Sequence, residues 1–413
     1  MHTLIIGQVW PEPSSTAAGR RMHELIELFH EAGHSITFAT AAQKTPYSQL
    51  PAGIAIDTHE IELNSSSFDV WVKKLNPEMV VFDRFMTEEQ FGWRLAEAVP
   101  DALRLLDTED LHFLRQHREL VSNNQKDENE NPFHSTLAYR EIASIYRCDL
   151  SLIISEHELQ LLTLQLGVPA SLLHYLPYCR KSLDQTQIRK LNSQAQRNGF
   201  MTIGNFNHAP NRDAVLYLKE HIWPLIRRYK PNATMHIYGS YSRERDAQLN
   251  DAKNGFVVCG RAEDALETIG RYRVLLAPLR FGAGLKGKIA DAMQSGTPFV
   301  STSIGVEGMN AQQQLDEFVA NDPEHIAQKA VRLHDDALAW QNAQQCGFDV
   351  FNALFAKESH TEILLKRIDD LQQNLNAHRM QNFTGAMLLH HRTMSTRYLS
   401  KWIEEKNKNA SQA

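Results

Sequence analysis

The chain has 413 residues, too many for one hydrophobic core, so two domains are expected. Its 42% hydrophobic and 22% charged residues describe an ordinary globular protein, and a net charge of −6 lacks the basic excess of a nucleic-acid binder. The four cysteines (Cys148, Cys179, Cys259, Cys346) have no close spacing, so they point to neither a zinc site nor a disulfide framework and fit a reducing compartment.

Short apolar runs alternate with amphipathic stretches, the pattern of parallel α/β architecture. The N-terminus MHTLIIGQVW lacks a basic lead and a signal-length apolar run, and no stretch approaches the roughly 20 apolar residues that span a bilayer. A cytoplasmic location is the expectation, with peripheral membrane contact left open. Residues 3–7 (TLIIG) read as a buried strand, followed by a Pro- and Ser-rich loop and a helix with Met22, Leu25, Ile26 and Phe29 on one face. Gly33 ends that helix, and 35–40 (SITFAT) is the next strand. Further strands are predicted at 79–82, 102–106 and 150–154, with a polar loop over 121–133. The polar stretch 179–199 has the composition of an inter-domain linker or a solvated helix. A second series starts at 200–206 and continues with strands at 234–239, 256–258, 274–278 and 298–302. From about 323 the chain reads as helical, with Leu364, Ile368, Leu371 and Leu375 on one stripe. The segment 378–409 mixes aromatics, Met and basic residues, and fits a packed extension, an oligomer contact or a partner surface.

The most informative stretch is APLRFGAGLKGKIADAMQSGTPFVSTSIGVEGM, 277–309. A buried strand ends at Pro278, and the turn Gly282-Ala283-Gly284 opens a helix whose inner face carries Leu285, Ile289, Ala292 and Met293. Glycines allow close approach of backbone to a ligand, and a helix N-terminus offers unpaired N–H groups with partial positive charge. That is an anion site. Lys286 and Lys288 fall in the predicted first turn, where cations are disfavoured unless a negative ligand such as a diphosphate compensates. The plain alternative is a strand-to-helix turn flanked by solvated lysines.

Over its whole length this segment resembles the donor-binding region of B-type (GT-B) glycosyltransferases, especially the family-four retaining group. The resemblance rests on Pro278, the glycine turn with its lysines, Asp291-Ala292-Met293, Gly296-x-Pro298 and IGVEGM at 304–309. It implies that Asp291 contacts a nucleotide ribose, and that the loop of Gly305 and Glu307 lies beside the sugar or diphosphate. Upstream, IGNFNHAPNRDAVLYLKEHIWPLI (203–226) resembles the first βα unit of the donor domain, and HIYGSY (236–241) its second strand and exit loop. The early loop with Gly19 and Arg20 corresponds loosely to the acceptor-side loop of such enzymes, and RCDLSLIISEHE (147–158) to a strand and Ser-x-x-Glu turn late in their first domain. The chain departs from the pattern at two places. Ala283 stands where many relatives have the first of two glutamates, and Asn205, Asn207, His208 and Asn211 stand where many place Arg and Lys against the diphosphate. Lys286, helped by Arg280, is expected to supply that charge.

On the other side, LLDTEDLHFLRQHREL (105–120) concentrates acids, His and Arg after a predicted strand. Asp107, Asp110 and His112 would sit at a strand C-terminus, where open α/β sheets place ligands. They are candidates to orient an acceptor hydroxyl or accept its proton. The same residues also fit a helix start, with Asp107 or Thr108 as N-cap and Arg115 and Arg118 on the wet face.

Together these readings predict two Rossmann-like domains, 1–180 on the acceptor side and 198–350 binding a nucleotide sugar, with a helical extension over 351–413. The donor residues expected are Gly204, Asn205, Asn207, His208, Tyr238, Gly239, Arg280, Gly282, Gly284, Leu285, Lys286, Asp291, Gly305 and Glu307. The resemblance implies sugar transfer from a nucleoside-diphosphate sugar, retaining in outcome. With no acidic dyad or His cluster of ligand spacing, metal-independent chemistry is expected, and no cofactor beyond the donor. The acceptor (glycan, lipid-linked saccharide, protein or small molecule) stays open. So do a degenerate scaffold role and a nucleotide-sugar epimerase as alternatives.

Overall fold

The computed structural model describes residues 1–309 and 312–411. It contains two parallel sheets. The first has β1 (His2–Gly7), β2 (Ser35–Thr40), β3 (Ile56–Glu60), β4 (Met79–Asp83), β5 (Leu103–Asp107), β6 (Leu150–Ile153) and β7 (Leu173–Tyr175), in the order β3-β2-β1-β4-β5-β6-β7. The second has β8 (Asn198–Ile203), β9 (Met235–Tyr238), β10 (Phe256–Gly260), β11 (Tyr272–Ala277) and β12 (Phe299–Ser301), in the order β10-β9-β8-β11-β12. Every strand pair is parallel; Ile5 aligns with Phe38 on one side and Val81 on the other, and Leu275 with Met201 and Phe299.

Helices cover both faces of each sheet, so central strands bury all their side chains and read as unbroken apolar runs. β4 and β5 are buried at every position. β3 (IDTHE) is polar because it is an edge with an exposed face. In each sheet the strand order reverses at the middle, between β1 and β4 and between β8 and β11. Crevices for ligands form at the carboxyl ends of strands at such reversals.

The chain crosses between the sheets twice. The outgoing crossing follows β7, and the return comes where the helix Ala337–Phe355 gives way at Ala356 to the helix Lys357–Gln373. The two crossings pair. Arg180 N–H donates to Phe355 O at 2.7 Å and Lys357 N–H donates to Arg180 O at 2.9 Å. Leu364, Ile368, Leu371 and Leu375 are buried in one cluster with Ile5, Val81, Leu105 and Leu152, so the returning helices close one face of the first sheet. The final helix, Phe383–Ser411, packs on the other face's helices, with Arg94 Nη2 donating to Ser400 Oγ at 2.9 Å. Among the described residues no helix is long and apolar enough to cross a membrane.

Candidate active site

The carboxyl ends of the two sheets face each other across a cleft of about 440 Å³. Its walls are the segments after β1, β4, β5, β6 and β7 on one side and after β8, β9, β10 and β11 on the other. The size suits a nucleotide-scale ligand.

On the second-sheet side, the glycine turn lies where the sequence suggests but the helix starts later. It runs Gly287–Gln294 with Lys286 as N-cap, and no side chain caps it. The turn is pinned from the first sheet. Glu158 Oε1 accepts the Gly284 N–H at 2.8 Å and the Leu111 N–H at 3.1 Å, and Tyr178 O–H donates to Leu285 O at 3.0 Å. A side chain at Gly284 would bring its Cβ within 2.8 Å of Asp110 Cβ, and φ there is +61°, so only glycine fits. The Gly284 amide is therefore engaged by Glu158. What remains for an anion is the start of that helix, where the N–H groups of Gly287 and Lys288 are left without an acceptor while that of Ile289 donates to Lys286 O at 2.9 Å.

Lys286 is 8% exposed, and its Nζ donates to Gly284 O at 2.9 Å. Lys288 Nζ donates to Asn211 Oδ1 at 2.9 Å. Among the described residues neither ammonium forms an ion pair, and burial pushes each down to about 8. Asp291 is held by Arg180 Nη1 at 2.7 Å and by an ion pair with Arg20. Arg180 is itself fixed by Glu24 (3.1 Å), Gln294 Oε1 (3.1 Å) and the face of Tyr178 (4.8 Å). Its Nη2 is buried without a hydrogen-bond partner, although Arg180 lines the cleft.

Gly204, Asn205, Asn207, His208, Gly239, Gly282, Gly284, Leu285, Lys286, Asp291, Arg20, Asp110 and His112 all line the cleft. Six other expected residues stand elsewhere. Arg280 is turned outward, where Asp213 Oδ2 accepts from its Nε at 2.9 Å and its guanidinium lies over Tyr217 at 5.3 Å; Lys288 is the second cation instead. Tyr238 is tied to Tyr272 at 2.9 Å behind the wall. Gly305 packs against Ser301, and Gly19 against the Glu12 backbone, inside the helix Ala17–Glu31. Glu307 is engaged on both oxygens by Arg118, at 2.6 and 2.8 Å, and Arg118 also donates to Gly282 O at 2.8 Å. Arg118 thus clasps the two halves and does not lie on a wet face. Asp107 is fully buried beneath the cleft and bidentate with Arg21, whose Nη1 donates to Leu176 O at 2.9 Å and Pro177 O at 3.1 Å. It shapes the site from below. It does not cap the next helix, which begins at His112 with Leu111 as N-cap.

Residues 197–336 match the family of glycosyl transferases group 1. They form a glycosyl transferase domain. The fold around it is GT-B, the architecture of the solved glycosyltransferases to which the chain is similar. Sucrose-phosphate synthase from Thermosynechococcus elongatus is 14% identical with a TM-score of 0.66, over 90% of this chain and 99% of that one. Anabaena HepE in complex with UDP and glucose is 11% identical with a TM-score of 0.61, over 89% and 99%. WaaG, a glycosyltransferase involved in lipopolysaccharide biosynthesis, is 12% identical with a TM-score of 0.58, over 88% and 98%. No curated protein matches the chain in sequence.

On the first-sheet side of the cleft, His112 Nδ1 lies 3.0 Å from Glu141 Oε1 and 3.1 Å from Asp110 O. Burial opposes the charge on Asp110, but Arg115 and His112 hold its carboxyl below the usual range. Arg84, Glu109, Tyr178 and Arg180 also line the cleft and were not expected from the sequence as site residues, and Lys288 lines it beside Lys286. Arg180 lies in a stretch whose composition reads as solvated linker, and only the tertiary fold reveals its burial. Lys288 was visible in the glycine segment, but its orientation was not.

Proposed function

We propose that the transferase takes its sugar from a nucleoside-diphosphate sugar, with the diphosphate at the first turn of Gly287–Gln294 between Lys286 and Lys288. One observation carries the reading: a buried ammonium (Lys286) and a half-buried one (Lys288), neither in an ion pair among the described residues, stand at an uncapped helix N-terminus that opens into the cleft. An anion there restores the charge balance and satisfies amides that the helix itself leaves free. As the sugar departs, negative charge grows on the leaving diphosphate oxygen, and these pre-positioned cations and amides stabilise it. HepE, of the same fold, has been captured with UDP and glucose, which supports a donor of this class. Arg180 Nη2 and Asp291 flank the next part of the cleft, suited to ribose hydroxyls. The acceptor enters over Asp110 and His112.

Thermal-shift titration with UDP, GDP and ADP and their glucose conjugates tests this. One nucleoside diphosphate is expected to raise the melting temperature of the wild type and to lose that effect in Lys286→Ala/Lys288→Ala. Equal shifts in the double variant would place the diphosphate elsewhere.

A further inference from the structure

Four acids gather at the ends of β4 and β5, and the protein engages three of them. Asp83 Oδ2 accepts the Gln8 N–H at 2.9 Å, Asp107 is bidentate with Arg21, and Asp110 pairs with Arg115. Glu109 is different. It lines the cleft, yet its Oε1 is buried with no hydrogen-bond partner. Its backbone is left-handed, with φ +62°, and facing it at the end of β4 Arg84 has φ +70° and also lines the cleft. Such conformations cost non-glycine residues roughly 1 kcal/mol or more and persist where surrounding structure over-determines them, often at reaction centres. The groups facing the carboxyl are Asp107 at the end of β5, Asp83 at the end of β4, Arg84 at the start of the helix that follows it, Arg21 from the helix Ala17–Glu31 and Tyr178 after β7. Burial first, then Asp107, raises its proton affinity to about 8 against the pull of Arg84 and Arg21. A carboxylate so placed is a much stronger base than one in water.

We propose that Glu109 is a catalytic residue that accepts the proton of the acceptor hydroxyl during sugar transfer. The acceptor oxygen bonds to the anomeric carbon, and its proton passes to the Glu109 carboxylate. The bond from that carbon to the diphosphate oxygen breaks, its electron pair leaving with the nucleoside diphosphate. The proton then returns to solvent. This rests on the donor placement proposed above.

The test uses the full chain with UDP-, GDP- and ADP-glucose, water serving as acceptor, and compares wild type, Glu109→Gln and Glu109→Asp. The ionised carboxylate is the active form, so at saturating donor the wild-type hydrolysis rate should rise with pH and level off above about 8. Glu109→Gln should lower the plateau by about 100-fold or more, the scale of a lost general base, and flatten the profile. Glu109→Asp should recover part of the rate, and nucleoside diphosphate affinity should stay within about twofold in both variants. A Glu109→Gln protein that keeps the rate, or the rising limb, overturns the assignment while leaving the donor site standing. Wild type that binds no nucleoside diphosphate overturns both. Folding gives an independent reading. A raised folded-state proton affinity means stability is lost as pH rises toward about 8, so at pH 9 Glu109→Gln should melt above wild type. Melting below wild type would show the carboxyl to be a paired structural group.

Discussion

Replacing Lys286 with Met separates stability from binding. The ammonium sits at 8% exposure with one carbonyl acceptor and is pushed from 10.5 down to about 8 by burial. At about 1.4 kcal/mol per pH unit, this depression corresponds to a folding penalty of about 3 kcal/mol. The folded state holds this proton less tightly than the unfolded chain. The penalty is therefore complete below pH 8 and vanishes as pH rises through 10.5. Lys286→Met keeps the length of the side chain and removes the charge, so at pH 7 the variant should melt a few degrees higher than wild type in calorimetry. Nucleotide binding should move the other way. Losing a charge-assisted hydrogen bond to phosphate, worth about 1.5–3 kcal/mol, weakens the preferred nucleoside diphosphate by about 10- to 150-fold in titration calorimetry. At pH 10 the stability difference should shrink. A variant that binds as tightly as wild type would remove the lysine from the phosphate site. One that melts lower would refute the argument from buried charge.

Because both lysines titrate near 8, a bound anion must raise their proton affinity, so nucleoside diphosphate affinity should fall about tenfold per pH unit per lysine above pH 8. A pH-independent Kd between 7 and 10 would count against it. Gly308→Ala would place a Cβ 2.1 Å from Ser155 Oγ at φ +81°, so it should push the halves apart, detectable as a larger radius of gyration in solution scattering. Ser155→Gly in the same chain should restore part of the compact form; no recovery would locate the defect in the loop itself. Ile368→Ala empties a fully buried site between the returning helix and the first sheet, and should cost about 2–5 kcal/mol in denaturant unfolding. A cost below about 1 kcal/mol would mean that this helix does not close the sheet.

The central strands were legible because both faces are covered, and continuous apolar runs such as 79–82 and 274–278 report that directly. β3 and β7 were not predicted. One is a polar edge, and the other is three residues long with two half-buried side chains. The glycine turn and Lys286 were visible as local chemistry, but the helix start moved to Gly287 because Glu158, far away in sequence, takes the Gly284 amide. Arg280 and Lys288 look alike in the sequence. Asp213 draws the first outward, and Asn211 anchors the second in the cleft wall. Glu109 and Asp110 are neighbours with opposite fates, decided by Arg115 reaching only one of them.

Arg180 joins two scales of the molecule. Its peptide group is the rung that fastens the outgoing chain to the returning one, while its guanidinium reaches between Glu24 on one body and Asp291 on the other. Any rotation of one half against the other must pivot close to that rung and drag the charged end with it. A ligand that grips Nη2 would lock the pivot, and letting go of product would free it.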